Sequence, residues 1–395
     1  MIAQLPPLGW NSWNTFGEKI NDELIRQMAD FMVSAGYRDA GYEYLVIDDC
    51  WSLRERGEDG RLVPDPVKFP HGMKALADYV HEKGLKFGMY SCAGVQTCAG
   101  YPSSYDHEFL DAQTFADWGV DFLKYDFCHF PESGNCRTRY QTMSMALKAT
   151  GRPILYSACN WGQQEPWKWM RSVGAHMYRS TGDIMDNYVS FTDIFRSQIE
   201  NLCMSANGCF NDMDMLTVGM CGQGNVGLGK VCTFEEYRLQ FSLWCLAGVP
   251  LMLGADLRSL SPEYVSLLQN RDLLRIDQDE ECRPPLLIRR GAVTFQNPEP
   301  REGEFPWTQI PDMSLTFLRH LSNNEFVLAF INLHEQESPI HCEFVDLGLP
   351  VTSGYALEMR DVFTGEVIPA RRDFFNRNIP GHDLSLYLCR MVSVK

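Results

Sequence analysis

A chain of 395 residues is too long for one ordinary core, and 45% hydrophobic with 22% charged residues is a globular composition. The net charge of −16 argues against nucleic acid and anionic membrane as partners. No apolar run reaches the about 18 residues that a membrane span needs.

The start, MIAQLPPLGWNSW, has no basic head and no apolar stretch, so a cytoplasmic location is expected. The 14 cysteines form no CxxC pair and have no His-rich partner at zinc spacing, so neither a metal nor a cofactor is expected. A cytosolic chain keeps them as thiols, mostly buried.

The chain then repeats a unit of strand, loop, helix and glycine. Leu8-Gly-Trp10 opens it as a strand. Residues 21–35 read as a helix capped by Asn21 and stopped by Gly36. A strand over 44–47 runs into Asp48, Asp49 and Trp51. Helix 71–83 and strand 86–90 follow, then helix 106–118 and the strand of VDFLKYD, which ends at Asp126. Helix 137–150 leads to strand 154–157 and Cys159-Asn160-Trp161. Helix 166–173 leads to strand 176–178, Arg179 and Asp183. Helix 191–206 leads to 209–214, with Asp212 and Asp214. Helix 234–247 leads to strand 250–253 and Asp256. Eight short apolar strands alternating with helices predict an α/β fold, a closed (β/α)8 TIM barrel over residues 1–279.

The pattern changes after Asp279. Runs over 291–296, 314–321, 326–333, 341–345, 355–362 and 384–392 alternate with turn residues, and no helix is evident. Residues 280–395 therefore read as a C-terminal antiparallel β-sandwich, with a loop over 303–311.

Barrel enzymes carry their sites at the C-terminal ends of the strands. Those ends here hold Trp13, Asp48, Asp49, Tyr90, Lys124, Asp126, Asn160, Trp161, Arg179, Asp183 and Asp214. Each has a structural reading, since aspartates cap helices and cations neutralise acids. Together they suit an uncharged polyhydroxylated ring, with an aromatic face to stack on and charged groups for its hydroxyls. Glycoside hydrolysis needs two carboxyls, and Asp126 and Asp183 are the best pair. Lys124, two residues before Asp126 on one strand face, is expected to keep it ionised. Gly222-Gln223-Gly224-Asn225-Val226-Gly227 matches GxGxxG, but it lies in a polar loop with no following acid, so it reads as a rim loop. The residues alone leave Cys98 and Cys128 open as thiols, a disulfide or reactive groups.

LGWNSW (8–13), DDCW (48–51), TCAGYP (97–102), AQTFADWGVDFLKYD (112–126) and NDMDML (211–216) closely resemble the family-27 glycoside hydrolases of clan D, which are α-galactosidases and α-N-acetylgalactosaminidases. The resemblance spans the barrel. It implies retention by double displacement, with Asp126 as nucleophile and Asp183 as acid/base. It implies that Asp48 and Asp49 grip the 4- and 6-hydroxyls, that Lys124 and Arg179 bind hydroxyls on the other edge, and that Trp13 stacks on the ring. Tyr90 is placed beside the nucleophile and Asp214 near Arg179. It also implies a Cys98–Cys128 disulfide. Many relatives pair the cysteine of DDCW with one after the first strand; here Glu18 stands at that place, which suits a reducing cytosol.

The 2-position pocket is the Cys159-Asn160-Trp161-Gly162 stretch. Asn160 is small and polar, so a 2-hydroxyl reader is expected there, favouring galactose over N-acetylgalactosamine. Asp49 in place of Glu leaves room for a 6-hydroxymethyl group. The expected activity is removal of terminal α-linked galactose from an α-galactoside or related oligosaccharide. Its rivals are an α-N-acetylgalactosaminidase and a non-catalytic sugar-binding barrel. Self-association as a homo-oligomer stays open.

Overall fold

The computed structural model describes residues 2–296 and 307–394. Eight parallel strands form one sheet: β1 (Leu8–Asn11), β2 (Tyr44–Val46), β3 (Lys86–Cys92), β4 (Phe122–Asp126), β5 (Leu155–Cys159), β6 (Met177–Arg179), β7 (Phe210–Asp212) and β8 (Leu251–Leu253). Neighbours pair in chain order, and β8 returns to β1. Leu216 closes the ring between β7 and β8: its N–H donates to the Met252 carbonyl at 2.8 Å, and its carbonyl accepts from Gly254 at 3.0 Å. The result is a (β/α)8 barrel.

The connecting helices are α1 (Trp13–Phe16), α2 (Asp22–Ser34), α3 (Gly72–Glu82), α4 (Glu108–Trp118), α5 (Cys136–Ala149), α6 (Met170–Val173), α7 (Tyr188–Gln198), α8 (Phe234–Ala247), α9 (Pro262–Leu268) and α10 (Arg271–Asp277). Their ends follow local chemistry. Asn21 Oδ1 accepts the Leu24 N–H at 2.8 Å and starts α2. Gly119, at φ 85°, stops α4 in a left-handed turn that a side chain would strain. The helix expected over 191–206 is shorter, because from Ile199 it tightens into a 3₁₀ turn ending at Met204.

Two layers of core follow from strand alternation. Tyr44, Val46, Phe122, Leu155, Met177 and Met252 fill the barrel interior. Leu45, Leu123, Tyr125, Tyr156 and Tyr178 point outward under the helices.

The C-terminal strands are β9 (Leu286–Gln296), β10 (Trp307–His320), β11 (Glu325–Asn332), β12 (Ser338–Glu343), β13 (Tyr355–Asp361), β14 (Val367–Arg371), β15 (Phe374–Ile379) and β16 (Asp383–Ser393). An antiparallel sheet ordered β14-β13-β16-β11-β10-β9 is covered on one face by the β12–β15 pair. Phe326, Leu328, Phe330, Met359, Phe375 and Tyr387 fill the space between. Strands β14 and β15 escape a sequence reading because β14 holds a proline and buries only Ile368, and β15 exposes three consecutive polar residues, Asn376, Arg377 and Asn378. Part of the expected loop over 303–311 is strand, since β10 pairs with β9 from Trp307 onward; residues 303–306 lie outside the described residues.

The other face of the six-stranded sheet packs on the barrel. There Arg319, 1% exposed, reaches the C-terminus of α8. Its guanidinium donates to the Cys245 and Leu246 carbonyls at 2.8 and 3.2 Å, and to that of Arg283 at 2.8 Å. Carbonyls in the last turn of a helix lack the N–H of a continuing turn; that of Cys245 takes the Gly248 N–H at 3.2 Å, and the arginine completes the cap. Around it, His382 stacks on Tyr188 at 3.7 Å, and Arg238 pairs with Asp383 at 2.7 Å. No helix among the described residues is long and apolar enough to cross a membrane. Arg319→Leu would strand the α8 carbonyls in a dry interface and is expected to cost on the order of 3 kcal/mol. Urea unfolding measures this; a loss within error of zero would remove Arg319 as the joint.

Candidate active site

Side chains from the C-terminal ends of seven of the eight barrel strands, or from the turns after them, meet in a cavity of about 270 Å³. It is lined by Trp13, Asp48, Asp49, Tyr90, Lys124, Asp126, Cys159, Trp161, Arg179, Asp183 and Asp214, among others. Two clusters of charge divide it.

The first joins β1 to β4. Asp48 Oδ2 accepts from Lys124 Nζ and from Asn11 Nδ2, both at 2.8 Å. Asp49 follows in a turn held by its own carboxylate: Oδ1 takes the Cys50 N–H at 2.7 Å and Oδ2 takes the Ala99 N–H at 3.0 Å. Burial raises the Asp49 carboxyl, against those backbone donors. Asp126 Oδ2 accepts from the Tyr90 hydroxyl at 2.9 Å, and its Oδ1 accepts its neighbour's N–H at 2.9 Å. The hydrogen bond of Lys124 goes to Asp48, and its expected ionising effect on Asp126 is present without one. It acts on Asp126 through space: burial pushes that carboxyl up, the ammonium pulls it down, and Asp48 pushes it up again.

The second cluster joins β6 and β7. Arg179 Nη2 lies 2.6 Å from Asp183 Oδ1 and 2.7 Å from Asp214 Oδ2. Asp214 is buried and also accepts the Ile184 N–H at 2.8 Å, so it fixes both the arginine and the turn carrying Asp183. The Asp183 side chain is 69% exposed, at the rim. Cys50, Trp161 and Asp214 all have positive φ, at 72°, 56° and 79°. At these strand ends the left-handed backbone turns the chain sharply where side chains are aimed inward.

Asn160 is a correction. It is wholly buried and does not line the cavity; its Nδ2 donates to the Gln163 carbonyl at 2.5 Å. Alternation along β5 explains this: Ser157 and Cys159 face the barrel axis, so the next side chain faces away. Cys159 and Trp161 line the cavity instead. The same alternation could have identified Cys159 from sequence. Asp256 is not in the site either, since it caps the turn Leu257–Ser259 and pairs with Arg258 at 2.8 Å.

Cys98 and Cys128 form a disulfide, with a Cα–Cα distance of 5.0 Å, as the resemblance implies and against the expectation of thiols throughout. It ties the loop that carries Ala99 to the strand end of Asp126. Cys50 stays a buried thiol. In place of a second bridge, Lys68 Nζ donates to the Glu18 carbonyl at 2.9 Å and to the Cys50 carbonyl at 2.8 Å.

Asp212 is the functional-type residue that sequence reasoning left out. Beneath the mouth it shares a small cavity with Lys124, Arg179 and Ser157, floored by Phe122 and methionines. Burial pushes its carboxyl to about 6, against the pull of Arg179. No spacing rule separates it from an ordinary strand-end aspartate.

A barrel mouth with facing carboxylates, a lysine, an arginine and tryptophans defines the site of a glycoside hydrolase. A family model described as Alpha galactosidase A matches residues 5–279, and the chain belongs to that family. An alpha-galactosidase of Cyamopsis tetragonoloba is 46% identical over 389 residues, 98% of this chain and 86% of that protein. Alpha-galactosidase I from Mortierella vinacea has a solved structure with a TM-score of 0.86 at 30% identity, over 100% of this chain and 99% of that one. The MEL1 enzyme of Saccharomyces cerevisiae gives 0.88 at 27%, over 99% and 98%. Another structure of the yeast enzyme, with raffinose, gives 0.86 at 26%, over 99% and 98%.

Asp212 also sets a pH dependence. Between its ordinary value of 3.8 and about 6, the folded state holds a proton that the unfolded state has released. Stability therefore falls as pH rises through that window. Asp212→Asn removes this contribution, so the variant should gain on wild type by up to about 3 kcal/mol between about pH 4 and pH 7. Urea melts at the two pH values test this; a difference that does not change with pH refutes it.

Proposed function

We propose that the protein hydrolyses terminal α-linked D-galactose from galactosides and oligosaccharides, with retention of anomeric configuration. The observation that carries this reading is the pairing, in one cavity, of a buried carboxylate at the end of β4 with an exposed one beside Arg179. Asp126 is the nucleophile: it attacks the anomeric carbon as the bond to the leaving oxygen breaks. Asp183 gives its proton to that oxygen, so the leaving sugar departs as a neutral alcohol. Asp183 then takes a proton from water, whose oxygen attacks the anomeric carbon and frees Asp126.

The remaining residues hold the ring. Asp48 and Asp49 offer carboxylate acceptors at the closed end of the cavity. Lys124 donates from beside Asp48, to which it is hydrogen-bonded, and Trp13 supplies an apolar face. Tyr90 keeps Asp126 oriented through its hydroxyl. Arg179 holds the Asp183 carboxyl in place at the rim, at 2.6 Å.

Cys159 and Trp161 are the 2-position wall in this reading. The indole packs edge-on against Phe127 at 5.9 Å, and Gly162 behind it is pressed against Ser180, where a Cβ would meet the carbonyl oxygen at 2.4 Å. A wall so supported accommodates a hydroxyl more readily than an acetamido group. This favours galactose over N-acetylgalactosamine.

Asp126→Asn is expected to lower turnover of an aryl α-galactoside by at least about a thousandfold while galactose still binds. Normal turnover in that variant would remove the nucleophile. Asp183→Asn should depress hydrolysis of an α-galactosyl disaccharide far more than that of a nitrophenyl galactoside, whose leaving group needs no proton. Equal losses on the two substrates would reject it as the acid.

A further inference from the structure

The GxGxxG segment over 222–227 has a use unconnected with nucleotides. It is pressed onto the turn after β1. A Cβ on Gly224 would stand 2.4 Å from the Asn14 carbonyl oxygen, so glycine is required there. The Asn225 N–H donates to that same carbonyl at 2.7 Å, and Asn225 Nδ2 donates to the Trp13 carbonyl at 3.0 Å. The loop's other side is held by the segment after Asp183. Asp186, 1% exposed, accepts the Gly222 N–H at 2.7 Å and the Tyr237 hydroxyl at 2.8 Å. Its own N–H donates to the Val226 carbonyl at 2.8 Å. The loop therefore spans the mouth from the Trp13 wall to the Asp183 wall.

Asn225, Val226 and Met185 line the cavity at this side. The acidic end, with Asp48, Asp49 and Asp126, is closed, whereas Asp183 stands at the open rim. A general acid must sit beside the leaving oxygen, so the groups around Asp183 face whatever departs. Asn225 is exposed there. Its Nδ2 is committed to Trp13, and its Oδ1 accepts no hydrogen bond from any described residue. The backbone and amide bonds fix the direction of that acceptor.

We propose that Asn225 Oδ1 accepts a hydroxyl of the leaving sugar, making the 222–227 loop a specificity-determining wall for the sugar released, with Met185 and Val226 as its apolar lining. The inference rests on the α-galactosidase reading above. The ligand class is a neutral hexose unit attached through its own hydroxyl to the α-galactosyl group.

The test compares kcat/KM for an α-1,6-galactosyl disaccharide and for a nitrophenyl α-galactoside, together with inhibition by free galactose. Loss of one neutral hydrogen bond in Asn225→Ala should lower the disaccharide-to-aryl ratio by about three- to tenfold, with the galactose inhibition constant within about twofold of wild type. Asn225→Asp keeps an acceptor but loses the Nδ2 bond to the Trp13 carbonyl that aims it, so its ratio should stay low as well, and full recovery of the ratio in that variant would overturn the proposed aiming. An unchanged ratio overturns the proposal. So does a parallel loss on both substrates with weakened galactose inhibition, which would make Asn225 a prop for Trp13. A wild type inactive on both substrates would overturn the functional reading itself, and this inference with it.

Discussion

Carboxylates and two cations meet at the top of this barrel where little water reaches them, and the rest of the structure depends on their being matched. An unpaired buried charge costs several kcal/mol. Lys124 between Asp48 and Asp126, and Arg179 between Asp183 and Asp214, meet that requirement. Each cation links charges contributed by different strands, so the register of the barrel and the electrostatics of its mouth are one constraint. The matching is incomplete by design of the site: burial leaves Asp126, Asp212 and Asp214 all raised above ordinary carboxylates. Groups held at such tension are suited to changing partners when a sugar enters.

Around the charges lies a scaffold of backbone donors. Asp48, Asp49, Asp126 and Asp214 each accept the N–H of the residue that follows. Every such bond closes a tight turn as the chain leaves a strand, and in doing so it aims the carboxylate. Further out, Trp244 on α8 donates to the Asp214 carbonyl at 2.9 Å, and Tyr237 on the same helix holds Asp186. A helix buried nearly all round thus supports the acid side of the site at two points, and the sandwich caps its far end through Arg319.

How much of this was legible in the sequence depends on the kind of signal. The barrel was readable because its strands are short apolar runs stopped by glycines, and the strand ends were readable because acids and tryptophans gather there. Asn160 was misread because a stretch was treated as a unit, when the two-residue period of β5 assigns its neighbours to opposite sides. The face of Lys124 and its pull on Asp126 follow from their spacing on one strand, whereas its hydrogen bond to Asp48 depends on the closed ring that brings β2 near β4. Strands β14 and β15 carry weak signals, because β14 is a short edge strand with a proline and one buried residue, and β15 exposes three consecutive polar residues where alternation would be looked for. Asp212 has no local signature at all; its importance comes from two cations contributed by other strands.

Lys68 ties together two turns where the resemblance would lead one to look for a covalent bridge. An ammonium resting on two carbonyl oxygens needs no oxidant to form and no reductant opens it. It assembles at the rate at which side chains find their places, and it cannot be joined to a wrong partner that must later be broken. This edge of the barrel is therefore indifferent to the redox state of its surroundings, and the folding chain has one sulfur pairing to get right instead of two.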